Sequence, residues 1–327
     1  MKAISRNEPG PDGQLTEIQV PVPVPGRQEV LIEMHATSVN PADYRFRDSL
    51  TASGSGHPSA CPLIPGIDLA GIVVSTGSGV SRFQPGDEVF GLKPDTEGGT
   101  YAEYTLAGEH ELALKPRGLS FETAGVLPAA GLAAWQALAC AQVSSRDRVL
   151  VHNGAGGIGS FAVQLAKLRG ATVITTVSGD ELDLVWGIGA DQAINCCEQN
   201  FAGILGQSID VVIDTSGGRI LNESFAVLSP GGRLVSAAGL PDPVKSAQQR
   251  IASAFITPAS DPFQLAELAR LTIEGRLKPL ISHTFPLTEE GVRSAYHLYE
   301  RGQFQGKIAI KAQPLSDRVR LRTEPLM

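Results

Sequence analysis

The residues of this chain best suited to do chemistry are glycines. Gly154-Ala155-Gly156-Gly157-Ile158-Gly159 fits the spacing G-x-G-x-x-G. Glycines at that spacing let a backbone approach a pyrophosphate, and the amides that open a helix offer it N–H groups and a positive dipole end. The pattern has meaning only between a strand and a helix, and both flanks are present. Val149-Leu150-Val151 is a short apolar run that stops at polar and glycine residues, as a buried parallel strand ends. From Ile158 to Leu168 apolar residues recur at helical spacing; Lys167 and Arg169 fall in the last turn and Gly170 stops it. A glycine turn without a ligand is the plainer alternative. The flanks favour a dinucleotide site on Gly154, Ala155, Gly156, Gly157 and Ile158.

Composition limits what else the chain could be. At 327 residues it is long enough for two domains. With 42% hydrophobic and 19% charged residues it reads as an ordinary soluble globular protein. A net charge of −7 with no basic stripe argues against a nucleic-acid partner. No apolar run has membrane-spanning length, and MKAISRNEPG lacks the apolar core of a signal peptide, so a cytoplasmic location is expected. Cys61, Cys140 and the pair Cys196-Cys197 have no C-x-x-C spacing and suit reduced thiols.

The elements that must position the glycines follow two styles. Residues 2–5, 17–20, 29–36, 68–75, 88–91 and 101–106 are strand-like, with glycine and proline punctuation between them. Such short strands suggest an antiparallel, partly open barrel over roughly the first 115 residues. Asn40-Pro41-Ala42-Asp43 marks a turn that starts a short helix through Arg47, and 48–62 reads as an exposed loop. Near Leu119 the character changes. Ser120 opens a helical segment with 124–141 alanine-rich, and from Val149 strands and helices alternate. Strands are expected at 172–177, 192–195, 210–214, 233–237 after the turn Pro230-Gly231-Gly232, and 254–257. Helices are expected at 180–186, 262–274 and 288–301. That alternation implies a doubly wound parallel sheet, an α/β fold.

Taken together, the segments resemble the medium-chain dehydrogenase/reductase superfamily, and within it the zinc-independent quinone oxidoreductase branch. The resemblance rests on SVNPADYRFR (38–47), LIPGIDLAGIVVSTGSGVSRFQPGDEVFGL (63–92), GGTYAEY (98–104), LPAAGLAAWQAL (127–138), VLVHNGAGGIGSFAVQLAK (149–167), LSPGGRLVS (228–236), GRLKPLISHTFPL (275–287) and GKIAIK (306–311). It implies a GroES-like domain at 1–118 and 279–327 around an inserted Rossmann domain at 119–278, with homodimers usual. It also places the substrate in a cleft between domains, lined partly by 48–62 and residues near Ile256.

Zinc is not expected. Catalytic zinc needs three Cys, His or carboxylate ligands. In the superfamily's alcohol dehydrogenases a Cys stands where this chain has Asn40, and a His where Ile67 follows Gly66. The four-cysteine lobe that holds their structural zinc has no counterpart.

The cofactor is expected to be NADPH. An NAD site usually carries Asp or Glu at the end of the second strand, and Val177-Ser178 occupies that place. Ser178 and the amide of Gly179 could accept a 2′-phosphate, although Ser178 could equally cap the helix that follows. Relatives that prefer NADPH commonly carry a Lys where this chain has Glu181, and often a Tyr where it has Cys196. Ala133 likewise replaces a common Thr. By position the resemblance adds Cys196, Thr215, Ala238, Gly239 and Lys307 to the cofactor contacts.

The hydride comes from the cofactor, and the protein positions it and stabilises charge on the acceptor oxygen. The resemblance puts Asn40 beside the nicotinamide. Tyr44 and Arg45 could each donate to a developing oxyanion, Tyr44 with a proton to give. Plainer roles exist: Asn40 capping its turn, Tyr44 packing, Arg45 pairing at the surface. The expected acceptor is a small electrophile, a quinone or an α,β-unsaturated carbonyl. The alternatives are an enoyl-thioester reductase, or a cofactor-binding structural or regulatory protein with little turnover.

Overall fold

A computed structural model describes residues 1–6, 15–43, 63–93 and 98–313. The chain divides into two compact units. The first comprises Met1–Ala129, Ser260–Ile273 and Ile281–Met327, and the second Ala130–Ala259 and Glu274–Leu280.

The first unit begins with β1 (Lys2–Arg6) and β2 (Leu15–Gln19), an antiparallel pair. It continues through β3 (Glu29–Ser38), β4 (Asp68–Thr76), β5 (Glu88–Leu92), β6 (Tyr104–Gly108) and β7 (Leu112–Leu114). The alternating apolar residues of β3 and β4 bury Val30, Ile32, Met34, Leu69 and Val73 with Val89 and Leu112. The second unit holds β8 (Arg148–His152), β9 (Thr172–Val177), β10 (Gln192–Asn195), β11 (Ile209–Asp214), β12 (Leu228–Ser236) and β13 (Ala252–Phe255). The chain then returns to the first unit with β14 (Ile281–Pro286), a helix at Glu289–Arg301 and β15 (Lys307–Lys311).

These last two strands join the first unit's sheet, whose order is β14-β15-β3-β4-β5-β7 with β6 pairing β3 off that path. Its pairs are antiparallel except β14 with β15, which run parallel across the helix Glu289–Arg301. The sheet is open, and no closed barrel forms among the described residues. Six parallel strands make the second unit's sheet, in the order β10-β9-β8-β11-β12-β13. That is the doubly wound dinucleotide-binding order, and its direction reverses between β8 and β11.

Local differences from the sequence reading have physical causes. The helical segment expected at 124–141 is broken into Phe121–Val126 and Pro128–Cys140, because Pro128 has no N–H to continue the ladder. Ser120 caps the first piece, its hydroxyl accepting the Thr123 amide at 3.1 Å. Pro230-Gly231-Gly232 is not a separate turn but lies inside β12, where the register with β11 shifts. Residues 119–129 and 260–273 fall in the first unit although the sequence pattern puts them in the dinucleotide domain. The helix Phe121–Val126 packs on β3, β4 and β15, and the helix Pro262–Ile273 on β7.

Candidate active site

The glycine turn leaves β8 at its C-terminal end and enters the helix Gly157–Leu168. Its glycines are required for space rather than for φ, since among the residues around the turn only Asn153 lies in the left-handed region, at φ 55°. A Cβ on Gly154 would come within 2.0 Å of Thr175 Oγ1, which is itself bonded to Val151 O at 2.7 Å. A Cβ on Gly159 would come within 2.0 Å of Asn153 O, and one on Gly156 within 2.5 Å of the Asn153 side-chain nitrogen. The helix therefore starts tight against the strand. Its N-cap, Gly156, brings no side chain to cover the first amides. This cradle fits a pyrophosphate.

Thr176 and His152 hold the turn from beneath. Thr176 Oγ1 accepts the Asn153 amide at 3.3 Å and lies 3.0 Å from His152 Nδ1, and Thr176 O accepts the Gly154 amide at 3.1 Å. His152 Nε2 is 3.0 Å from Ser224 Oγ. Burial holds this imidazole neutral, pushing its pKa down to about 4 against the pull of the Asp214 carboxylate. Asp214, fully buried, accepts the amides of Ser216 and Gly217 and the hydroxyl of Ser236.

The other residues expected to meet a cofactor follow the C-terminal ends of neighbouring strands: Ser178 and Gly179 after β9, Cys196 after β10, Thr215 after β11, and Ala238 and Gly239 after β12. With the glycine turn they share one edge of the parallel sheet, where ligands of such folds bind. Some of their groups are already engaged. The Ser178 amide donates to Glu181 Oε2 at 2.8 Å, Thr215 Oγ1 donates to His152 O at 2.7 Å, and the Ala238 and Gly239 amides both donate to Ser236 Oγ at 3.1 Å.

In the first unit Asn40 and Lys307 meet, both buried. Asn40 Nδ2 donates to Asp68 Oδ2 at 2.8 Å, and Asn40 Oδ1 accepts from Lys307 Nζ. Lys307 Nζ also donates to Val39 O at 3.0 Å and stands 3.5 Å from Asp68 Oδ2. Burial lowers the Lys307 pKa, opposed by the charges of Asp68 and Asp43. The backbone N–H of Asn40 donates to Asp43 Oδ2 at 2.8 Å, and the Tyr101 hydroxyl donates to the same oxygen at 3.0 Å. Burial raises the Tyr101 phenol well above its usual range.

Sequence reasoning singled out Asn40 and Lys307 but not Asp43, Asp68 or Tyr101. One signal was there: Asp68 opens an apolar run, LAGIVV, in which a carboxylate must find partners. Tyr44, Arg45, Cys61 and the loop 48–62 lie outside the described residues. Among the described residues no group of three or more His, Cys, Asp or Glu side chains could hold a metal ion. No helix among them is long and apolar enough to cross a membrane.

Comparison with known proteins agrees with this arrangement. The family described as "Alcohol dehydrogenase GroES-like domain" matches residues 26–117, and that described as "Zinc-binding dehydrogenase" matches residues 188–310. The chain is 35% identical to a 2-methylene-furan-3-one reductase of Solanum lycopersicum, over 96% of this chain and 80% of that protein. It is 33% identical to a chloroplastic NADPH-dependent alkenal/one oxidoreductase of Arabidopsis thaliana, over 93% of this chain and 78% of that one. The solved structure of the quinone oxidoreductase from Coxiella burnetii superposes with a TM-score of 0.87 at 35% identity, covering 96% of this chain and 99% of that one. The chain belongs to the medium-chain dehydrogenase/reductase superfamily, in its quinone oxidoreductase branch.

Proposed function

We propose that the protein is an oxidoreductase that transfers hydride from NADPH to a quinone or an α,β-unsaturated carbonyl, without zinc. The observation that carries this reading is the cradle at the switch point of the parallel sheet, where a Cβ on Gly154, Gly156 or Gly159 would collide with its surroundings. The relatives' names, which include enone and quinone reductases, support the choice of acceptor.

When bound, the reduced nicotinamide supplies the hydride. The chain's own residues do the rest. Gly154, Ala155, Gly156, Gly157 and Ile158 take the pyrophosphate, and Ser178 and Gly179 the adenosine ribose and its phosphate. Cys196, Thr215, Ala238 and Gly239 line the same strand ends. Asn40 and Lys307 are the polar groups we assign to the nicotinamide and acceptor end, with Tyr44 or Arg45 donating to the acceptor oxygen. The zinc-free reading is supported by what surrounds Asn40: its amide is spoken for by Asp68 and Lys307, and a divalent ion there would face the Lys307 ammonium. Ile67, at the second position where relatives hold a ligand, is apolar and buried. The exposed thiols Cys140, Cys196 and Cys197 are unpaired, as suits a reducing cytoplasm. We further assign a homodimer, with β13, one of the two edge strands of its sheet, offering the contact.

The test is NADPH oxidation against quinones, enones and enoyl thioesters, before and after treatment with a chelator. Turnover of quinones or enones that survives chelation is expected. Binding of NADPH with no turnover on any of the three would overturn the enzymatic reading, and loss of turnover on chelation would overturn the zinc-free one.

A further inference from the structure

Two buried carboxylates beside one buried ammonium are balanced only if one carboxyl keeps a proton. Asp43, Asp68 and Lys307 form such a set, 3%, 0% and 4% exposed. Asp68 is richly served by donors. Its Oδ2 accepts from Ser38 Oγ and Asn40 Nδ2, its Oδ1 accepts the Ala129 amide at 2.7 Å, and the Lys307 ammonium stands alongside. Asp43 is served on one oxygen only. Its Oδ2 takes both the Asn40 N–H and the Tyr101 hydroxyl, while Oδ1 is buried with no hydrogen-bond partner among the described residues.

The cluster's arrangement decides where the proton sits. Lys307 neutralises the carboxylate with the better hydrogen bonds, so the proton falls to Asp43. Because both hydrogen bonds are donated to Oδ2, it belongs on Oδ1. Among the described residues, the titratable groups facing Asp43 are Asp68 from β4, Lys307 from β15 and Tyr101 from the segment before β6. Tyr296, from the helix Glu289–Arg301, stands behind Tyr101 at a ring-centroid distance of 6.2 Å. Burial has the largest influence and lifts the Asp43 carboxyl to about 7. The bonds from Asn40 and Tyr101 and the charge of Lys307 oppose it, and the Asp68 charge adds to it.

We infer that Asp43 is a positioning residue behind Asn40: Oδ1 holds the cluster's exchangeable proton, and its loss tightens the grip of Oδ2 on the Asn40 backbone. The inference rests on the reductase reading proposed above. An ionised Oδ2 accepts the Asn40 N–H through a charge-assisted bond, roughly twice as strong as a neutral one. Asp43 acts through Asn40 and need not touch the substrate.

Two measurements on the full chain test this. The first is kcat/KM for an enone with saturating NADPH, over roughly pH 5.5 to 8.5. The wild type is expected to rise on the order of fivefold as pH passes through the neutral range. Asp43→Asn reproduces the protonated form, with an accepting oxygen and an N–H in place of the O–H, and its profile is expected to be flat at the wild type's low-pH level. The second is infrared difference spectroscopy over the same range, which reads the protein without turnover. A protonated-carboxyl band should disappear as pH rises in the wild type and be missing throughout in Asp43→Asn. An Asp43→Asn enzyme that keeps the wild-type inflection, or a wild type with no such band, would overturn the inference. A protein that shows the band but reduces no quinone or enone keeps the protonated Asp43 and loses the reductase reading.

Discussion

The amide oxygen of Asn40 accepts a hydrogen bond from the ammonium of Lys307, 267 residues further along the chain. The contact exists because β15 returns to pair with β3, setting Ala309 opposite Ser38. It turns a surface-type residue into a buried cation whose charge is answered by Asp68. The two residues we assign to the reacting end are therefore held by the same sheet that closes the first unit's core.

Removing that cation leaves a buried carboxylate without its partner. Lys307→Met is expected to cost about 3–5 kcal/mol in urea unfolding. Pairing it with Asp68→Asn should recover part of the loss, so the double variant loses less than the sum of the single ones. Additive losses would mean that the two charges do not interact.

The glycine cradle makes a prediction about binding and one about folding. Gly154→Ala is expected to destabilise by about 1–3 kcal/mol, because its Cβ meets the Thr175 hydroxyl. NADPH affinity, read by fluorescence titration, should fall by at least about tenfold. Adding Thr175→Ala removes the oxygen in the way and should restore part of the stability.

Much of this was legible beforehand, for identifiable reasons. The strand, glycine turn and helix at 149–168 are local features with their own spacing rules, and the structure has them as β8 and the helix Gly157–Leu168. The alternation of strands and helices gave the parallel sheet in the same way. The polar cluster was not legible as a unit. Ser38, Asp43, Asp68, Tyr101 and Lys307 are scattered along the chain; the pairing of β3 with β4 and β15 brings Ser38, Asp68 and Lys307 together, and hydrogen bonds join Tyr101 and Asp43 to them. The broken helix at Pro128 was readable from the proline, but the alanine-rich run around it masked the break.

His152 should make stability depend on pH. Its pKa in the fold, about 4, lies below the ordinary value of 6.5. Between those values the unfolded chain binds a proton that the folded one refuses, so stability is constant above about pH 6.5 and falls as pH drops toward 4. The loss is expected to be about 3 kcal/mol. Urea unfolding of the wild type and of His152→Gln at a series of pH values checks it: the variant should lack this component of the slope.

Asp43 should act in the opposite sense. Its carboxyl is raised from 3.8 to about 7 in the fold. The folded chain holds a proton that the unfolded chain releases, so stability is lost as pH rises from about 4 to 7 and is level above. Asp43→Asn is accordingly expected to be more stable than the wild type at pH 8, by a few kcal/mol. Thermal melts at pH 5 and 8 would show the gap widening.

Glu181 opposes the proposed choice of cofactor. Its carboxylate is bonded to the Ser178 amide, beside the place we assign to the 2′-phosphate. Like charges there weaken NADPH but not NADH. Glu181→Gln is expected to tighten NADPH about three- to tenfold with NADH nearly unchanged, as measured by fluorescence titration of both.

Hydride transfer itself is tested with NADPH carrying deuterium at both C4 positions of the nicotinamide, so that transfer from either face is labelled. The chelator-treated protein is mixed with an enone and the product is analysed by mass spectrometry. The expected product is a reduced enone carrying one deuterium at the β-carbon, formed at the untreated rate. Unlabelled product, or no product until zinc is restored, would contradict hydride transfer without zinc.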